Sequence, residues 1–157
     1  MSDKPYFHMA FLVRDLDAAI QKYSEAFGIE FLEPVIATAR FKEEDRDERE
    51  LNLRLTYSKQ DTGPYIELME AQGDGLYGIH RGEGPHHIGI WEPDCEAKVR
   101  EYEALGHKLL AAQYTPEGKI IVAYFASDNL HGTMIEIVDE GRKPMMSQWF
   151  SGGGFID

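Results

Sequence analysis

Two histidines and two glutamates, His8, Glu67, His87 and Glu136, stand where their types and spacing can do chemistry. Each interrupts an apolar run (HMAFLV, YIELME, HHIGI, TMIEIV) that reads as a β-strand. A carboxylate inside such a strand is costly to bury alone, so Glu67 and Glu136 ask for a compensating cation, of which a metal ion is one kind. Two neutral imidazoles and two carboxylates suit one divalent metal ion (Ni, Co, Zn or Mn) and leave two positions for water or substrate. Taken singly, a strand histidine is more often a hydrogen-bonded group and a strand glutamate more often salt-bridged than either is a ligand; it is the four together, at matching places in two repeats, that point to a metal. Cys95, the lone cysteine, can form neither an intramolecular disulfide nor a thiolate metal site, so any metal must sit on His, Asp or Glu.

The elements that must position these four residues come from a repeat. FHMAFLVRDLDAAIQKYSEAFGI is similar to HHIGIWEPDCEAKVREYEALGH: His8 and His87 lie 79 positions apart, Asp15 and Asp94 also 79, and Gly28 and Gly106 78. Asp15 and Asp94 can cap helix starts, and Gly28 and Gly106 suit the left-handed turn that ends a helix. Between them Leu16, Ala19, Ile20, Tyr23 and Phe27, then Cys95, Val99, Tyr102 and Leu105, recur at helical spacing. Strand-like runs follow each helix, at about 31–41, 51–58 and 64–70, then 107–115, 119–126 and 133–139. The fold class is therefore α+β, with two tandem βαβββ modules forming a cupped mixed sheet around the metal site. We expect one domain over 1–157: module one 6–70, a linker 71–84, module two 85–140 and a C-terminal tail 141–157.

Side chains alternate across a strand, so parity decides which residues share a face. His8, Ala10 and Leu12 oppose the greasier Phe7, Met9, Phe11 and Val13; His87, Gly89 and Trp91 oppose His86, Ile88 and Ile90. The greasy faces should meet the helices, which selects His87 over His86 for the concave side, where Ala10 and Gly89 leave room for a ligand. Leu12, Trp91, Met69, Met134 and Tyr124 are expected around the metal, with Trp91 and Tyr124 touching substrate, although such residues are as often plain core. Asn52 and Arg54 share a face that could hold a substrate carboxylate or carbonyl; the alternative for Arg54 is an outward salt bridge to the acidic run.

Composition narrows the partners. A net charge of −12 without a segregated basic patch excludes nucleic acid. MSDKPYF lacks the apolar core of a signal peptide, and no run approaches the roughly 18 apolar residues of a membrane span, so we expect a soluble cytoplasmic protein. The mixed charges of residues 42–50 read as a solvated loop. The tail PMMSQWFSGGGFID mixes Met, Trp and Phe with glycine and is expected to cover the cavity mouth or a partner in a homodimer.

The runs HMAFLV, YIELMEA, HHIGI and GTMIEIVD resemble the ligand-bearing strands of the vicinal oxygen chelate superfamily, which includes glyoxalase I, methylmalonyl-CoA epimerase, extradiol dioxygenases and antibiotic-resistance proteins. The resemblance spans about 6–140 and implies that His8, Glu67, His87 and Glu136 occupy ligand positions. YFASDNLHGTMIEI is similar to the methylmalonyl-CoA epimerase subgroup, and on that likeness Glu50 falls where a catalytic glutamate stands; otherwise it is one more charge closing the acidic run. Glu67 departs from the glutamine common in epimerases and is similar to bacterial glyoxalase I. The resemblance implies a metal-dependent isomerase, epimerase or lyase that abstracts a proton beside a carbonyl of a small oxygenated substrate, with Glu136, Glu67 and Glu50 as candidate bases. The alternatives are a ligand-binding or drug-sequestering resistance protein of the same fold, and a dioxygenase, whose iron uses two histidines and one carboxylate.

Overall fold

A computed structural model describes residues 6–155; the outermost ends of the expected 1–157 unit, 1–5 and 156–157, lie outside the described residues. The chain runs β1 (Tyr6–Val13), α1 (Leu16–Phe27), β2 (Val35–Glu43), β3 (Arg49–Tyr57), β4 (Tyr65–Glu70), then β5 (Gly84–Glu92), α2 (Cys95–Ala104), β6 (Leu109–Tyr114), β7 (Ile120–Phe125), β8 (Met134–Asp139) and α3 (Lys143–Phe150). The βαβββ order thus occurs twice. The eight strands form a curved mixed sheet in the order β1-β4-β3-β2-β6-β7-β8-β5 that closes on itself.

The two halves are built alike. β1 runs parallel to β4 as β5 does to β8, while β1 and β5 pair antiparallel at the centre and place His8 opposite Gly89 and Ala10 opposite His87. On the far side the β2–β6 ladder is short, pairing Lys42 with Ala112 and Glu43 with Ala111 and continued by the Glu44 N–H, which donates to the Leu110 carbonyl at 3.0 Å.

Both helices are capped by the expected aspartates: the Asp15 carboxylate accepts from Ala18 N at 3.0 Å and that of Asp94 from Ala97 N at 2.9 Å. Gly28 closes α1 at φ 66°, a left-handed conformation that a side chain would strain. Leu16 and Ala19 bury α1 against Val13 and Leu68; Cys95 and Val99 bury α2 against Phe125 and Ile137. Fully burying a side chain such as Phe125 contributes about 1.5–3 kcal/mol. Phe27 and Leu105 do not join these apolar faces, being 63% and 66% exposed, because the last turn of each helix runs past the sheet. No helix among the described residues is long and apolar enough to cross a membrane.

The charged run 42–50 is less of a loop than expected. Lys42 and Glu43 end β2, Arg49 and Glu50 begin β3, and only 44–48 turn. The buried Glu43 carboxylate makes this possible, accepting from Arg49 Nε at 3.0 Å and Leu76 N at 2.8 Å and pairing with Arg46 at 3.1 Å. Residues 71–84 hold two 3₁₀ turns, Gly75–Tyr77 and Ile79–Arg81, with Leu76 and Tyr77 buried.

Candidate metal centre

β1, β4, β5 and β8 each carry one of the four donors, and the central β1–β5 ladder brings them together. His8 Nε2 lies 2.8 Å from His87 Nε2. Glu67 Oε2 stands 3.2 Å from the first imidazole and 3.4 Å from the second; Glu136 Oε2 stands 3.1 and 3.3 Å away. All four residues are buried. Ligands held about 2.1 Å from one ion are separated by about 3.0–3.4 Å in octahedral or tetrahedral arrangements; the four imidazole–carboxylate edges match, and the 2.8 Å imidazole–imidazole edge is slightly shorter.

Proton counting also favours an ion here. Each Nε2 can carry at most one N–H, yet His8 Nε2 faces three acceptor-capable atoms at once. His8, His87 and Glu136 form a cluster able to hold a metal ion, their donor atoms lying within 4.8 Å of one another. With protons alone the groups are strongly perturbed. Burial would lower the His8 pKa, but Glu67 and then Glu136 overcome it and raise it to about 9. Burial would raise Glu67, but His8 and then His87 bring it down to about 2; Glu136 is held well below its usual range, chiefly by His87, against the same burial.

The hydrogen bonds around His87 set its tautomer. His86 Nε2 lies 2.8 Å from the Leu76 carbonyl and must donate to it, so neutral His86 presents Nδ1 as an acceptor. His87 Nδ1, 2.8 Å from that atom, is then the donor, and His87 Nε2 is left with a lone pair aimed into the cluster. Burial and the neighbouring His87 hold His86 neutral, down to a pKa of about 3. His86 thus faces the site rather than a helix, because the β1–β5 ladder is irregular between its Ala10–His87 and Phe11–Pro85 pairs. Gly89, expected to leave room for a ligand, instead leaves room for the His8 ring, into which a Cβ would run.

A cavity of about 120 Å³ reaches the cluster, with Glu67 and Glu136 in its wall. The expected pocket lining needs correction. Leu51, Leu53, Leu55 and Tyr57 of β3 face the cavity, so Glu50, Asn52 and Arg54 face away. Arg54 bonds to Asp17 at 2.7 Å and Glu70 at 3.2 Å, Asn52 accepts from the Thr38 hydroxyl at 2.7 Å, and Glu50 is exposed opposite Arg40. The physical reason is the ordinary one: the apolar alternate residues of β3 go inside. Leu12, Met69 and Met134 are buried in the core without reaching the cavity. Trp91 stacks on Phe7 at 3.9 Å, and Phe7 reaches the wall instead.

Tyr124 does line the cavity and donates to Glu136 Oε1 at 2.7 Å; its hydroxyl lies 2.9 Å from that of Tyr77, which serves as its donor. Burial first, and Glu136 second, raise both phenols well above their usual pKa, so they stay protonated donors. Tyr57 and Tyr77 were absent from the expected site. Tyr57 had a signal, for it pairs across β3–β4 with Glu67 as Tyr124 pairs across β7–β8 with Glu136. Tyr77 had none, since it comes from the segment between the modules. α3 and the residues C-terminal to it lie at this cavity: Met146, buried Trp149 and Phe155 line it, and Trp149 meets Tyr57 edge-on at 5.2 Å.

Residues 7–125 match the family model described as Glyoxalase/Bleomycin resistance protein/Dioxygenase superfamily. The chain is 28% identical over 138 residues to a probable chloroplastic lactoylglutathione lyase of Arabidopsis thaliana, covering 87% of this chain and 36% of that protein. A putative lactoylglutathione lyase of Brassica oleracea var. gemmifera is 27% identical over 139 residues, covering 88% and 45%. The chain therefore spans less than half the length of either relative. Among solved structures, a methylmalonyl-CoA epimerase of Streptomyces coelicolor superimposes with a TM-score of 0.61 at 22% identity, covering 88% of this chain and 95% of that one. The Mycobacterium tuberculosis methylmalonyl-CoA epimerase gives 0.58 at 19%, covering 86% and 87%. At such identities these structures establish the shared fold alone.

Proposed function

The chain belongs to the glyoxalase/bleomycin resistance protein/dioxygenase superfamily, and from that premise we propose that it is a metal-dependent isomerase, epimerase or lyase that removes a proton beside a carbonyl of a small oxygenated substrate. The observation that carries this reading is the convergence of His8, Glu67, His87 and Glu136 at mutual imidazole–carboxylate distances of 3.1–3.4 Å. These four residues would hold the ion. When bound, a divalent metal supplies Lewis-acid polarisation of two neighbouring substrate oxygens. Glu136 and Glu67 are the carboxylates in the cavity wall placed to accept the substrate proton. Tyr124 fixes one oxygen of Glu136 and leaves the other toward the imidazoles, so that base is held in orientation. The apolar wall and Trp149 exclude water from the reacting carbon. A dioxygenase centre of two histidines and one carboxylate fits less well, because Glu67 stands as near the imidazoles as Glu136 does.

Elemental analysis of protein loaded with Ni, Co, Zn or Mn, followed by deuterium exchange from D₂O into 2-oxo acids, acyl-CoAs and hemithioacetals, tests the proposal. We expect one ion per chain and metal-dependent exchange into one substrate class. Protein that takes up no stoichiometric ion, with thermal stability indifferent to EDTA, would leave a binding protein of the same fold. Oxygen uptake with Fe²⁺ and a catechol would move it to the dioxygenases.

A further inference from the structure

We propose that the cavity takes the carboxylate of a small free organic acid, gripped by Arg142, with the acid's oxygenated end at the four-residue cluster; this rests on the metal-centre reading of that cluster. Arg142 ends the 3₁₀ turn Glu140–Arg142 just before α3, is half-buried, and is the one cation among the residues lining the cavity. Other arginines are engaged: Arg14 with Glu83, Arg40 with Glu48, Arg46 and Arg49 with Glu43 and Asp74, Arg54 with Asp17 and Glu70. Among the described residues Arg142 has no carboxylate within ion-pair distance, although its charge helps to lower the pKa of Asp139. Asp139, three positions earlier, is taken by Lys119 at 2.6 Å and by the Gly141 N–H at 2.7 Å. Arg81, which donates to the Gly75 carbonyl at 3.0 Å, and Arg100 likewise pair with no carboxylate, but both are exposed to water. A guanidinium with five donors set into a mostly apolar wall lacks the acceptors that a carboxylate supplies in bidentate fashion.

Charge and size narrow the ligand further. The two glutamates balance a divalent ion, which leaves Arg142 as one net positive charge in the cavity wall, matched by a monoanion. The cavity measures about 120 Å³, and a cavity of about 150 Å³ holds a molecule the size of benzene. That admits an oxo or hydroxy acid of a few carbons, whereas a glutathione or CoA carrier would have to lie outside the cavity.

The test is a tryptophan-fluorescence titration, with Trp149 in the cavity wall, using pyruvate, methyl pyruvate and S-lactoylglutathione. It is run on the full chain and on Arg142→Gln and Arg142→Lys, with metal content measured on every preparation. We expect the wild type to bind pyruvate at least about tenfold more tightly than its ester, the span of a charge-assisted hydrogen bond. Arg142→Gln should abolish that preference and Arg142→Lys keep part of it, both with unchanged metal content. Equal binding of acid and ester, survival of the preference in Arg142→Gln, or binding of none of the three probes would overturn the proposal. Tighter binding of S-lactoylglutathione that falls in Arg142→Gln would assign the carboxylate to a glutathione adduct and overturn the small-acid class. Metal bound without acid preference sinks the Arg142 assignment alone; acid preference without metal sinks the metal-centre reading instead.

Discussion

The two halves of the molecule present the same pair of donors and hold them differently. In the second half, His87 is tied through His86 to the Leu76 carbonyl, and Glu136 through Tyr124 to Tyr77. In the first half the residue before the histidine is Phe7, packed edge-on to His8 at 4.3 Å, and His8 Nδ1 is buried without a hydrogen-bond partner among the described residues. An unsatisfied buried nitrogen costs about 1–3 kcal/mol. The repeat therefore duplicated the ligands and the tyrosine beside each glutamate, Tyr57 at Glu67 and Tyr124 at Glu136, but not the polar chains behind them: His87 and Glu136 are tied on to Leu76 and Tyr77, whereas His8 is held by packing. Tyr77 and Leu76, which complete both chains, come from the connecting segment and from neither repeat.

The largest consequence falls on the glutamates. If the tethered Glu136 is the principal base, Glu136→Gln should lower metal-dependent deuterium exchange by about 10²–10⁴-fold, and Glu67→Gln should lower it far less. Equal losses would erase the distinction between the halves. Next comes the tautomer. His86→Leu removes the acceptor for His87 Nδ1 and should weaken metal affinity by about 10–100-fold, measured by competition with a chelator. His86→Asn, which can still accept from His87, should restore part of it, and Phe7→Leu in the equivalent place should leave affinity nearly unchanged.

A smaller effect tests the backbone opposite each histidine. Gly89→Ala drives a methyl into the His8 ring and should destabilise the fold by about 1–3 kcal/mol, while Ala10→Gly, opposite His87, should cost about 0.5–1 kcal/mol. Urea denaturation of both variants decides this, and a harmless Gly89→Ala would mean that His8 moves aside freely. The gentlest probe is pH on metal-free protein. His8, raised to about 9, lends stability that is complete below its unfolded value of 6.5 and is lost as pH rises through 9. His86, depressed to about 3, acts on the other side, because below 6.5 the unfolded chain takes a proton that the folded one refuses. The melting temperature of EDTA-treated protein should therefore peak near pH 6.5, and metal should flatten the alkaline fall.

Much of this architecture was legible because repeats leave marks that local chemistry enforces. Asp15 and Asp94 cap helices since a short carboxylate accepts from the free N–H groups there, and the 79-residue register carried His8 and His87 to equivalent strands, with Glu67 and Glu136, 69 positions apart, on the last strand of each module. β3 is ambiguous in the sequence because Glu50, Asn52 and Arg54 have the chemistry of a binding face, whereas Leu51, Leu53 and Leu55 obey burial and take the cavity side. His86 was set aside by parity, which an irregular ladder does not respect. Tyr77 could not have been found, since no periodicity governs a 3₁₀ turn between repeats, and Arg142 sits where the repeat has already ended.

The uneven closure of the sheet bears on how anything enters. β1 and β5 share a long ladder, but β2 and β6 meet through two residue pairs, at Lys42 and Glu43, and one further backbone bond from Glu44. A hoop riveted on one side and merely clasped on the other breathes at the clasp, where few backbone bonds must break. All four donors ride on β1, β4, β5 and β8, so the mouth can widen at the β2–β6 seam while the cluster keeps its spacing. Amide exchange should accordingly be fastest along that seam and slowest along β1 and β5, so that the protein is a rigid vice with a yielding jaw.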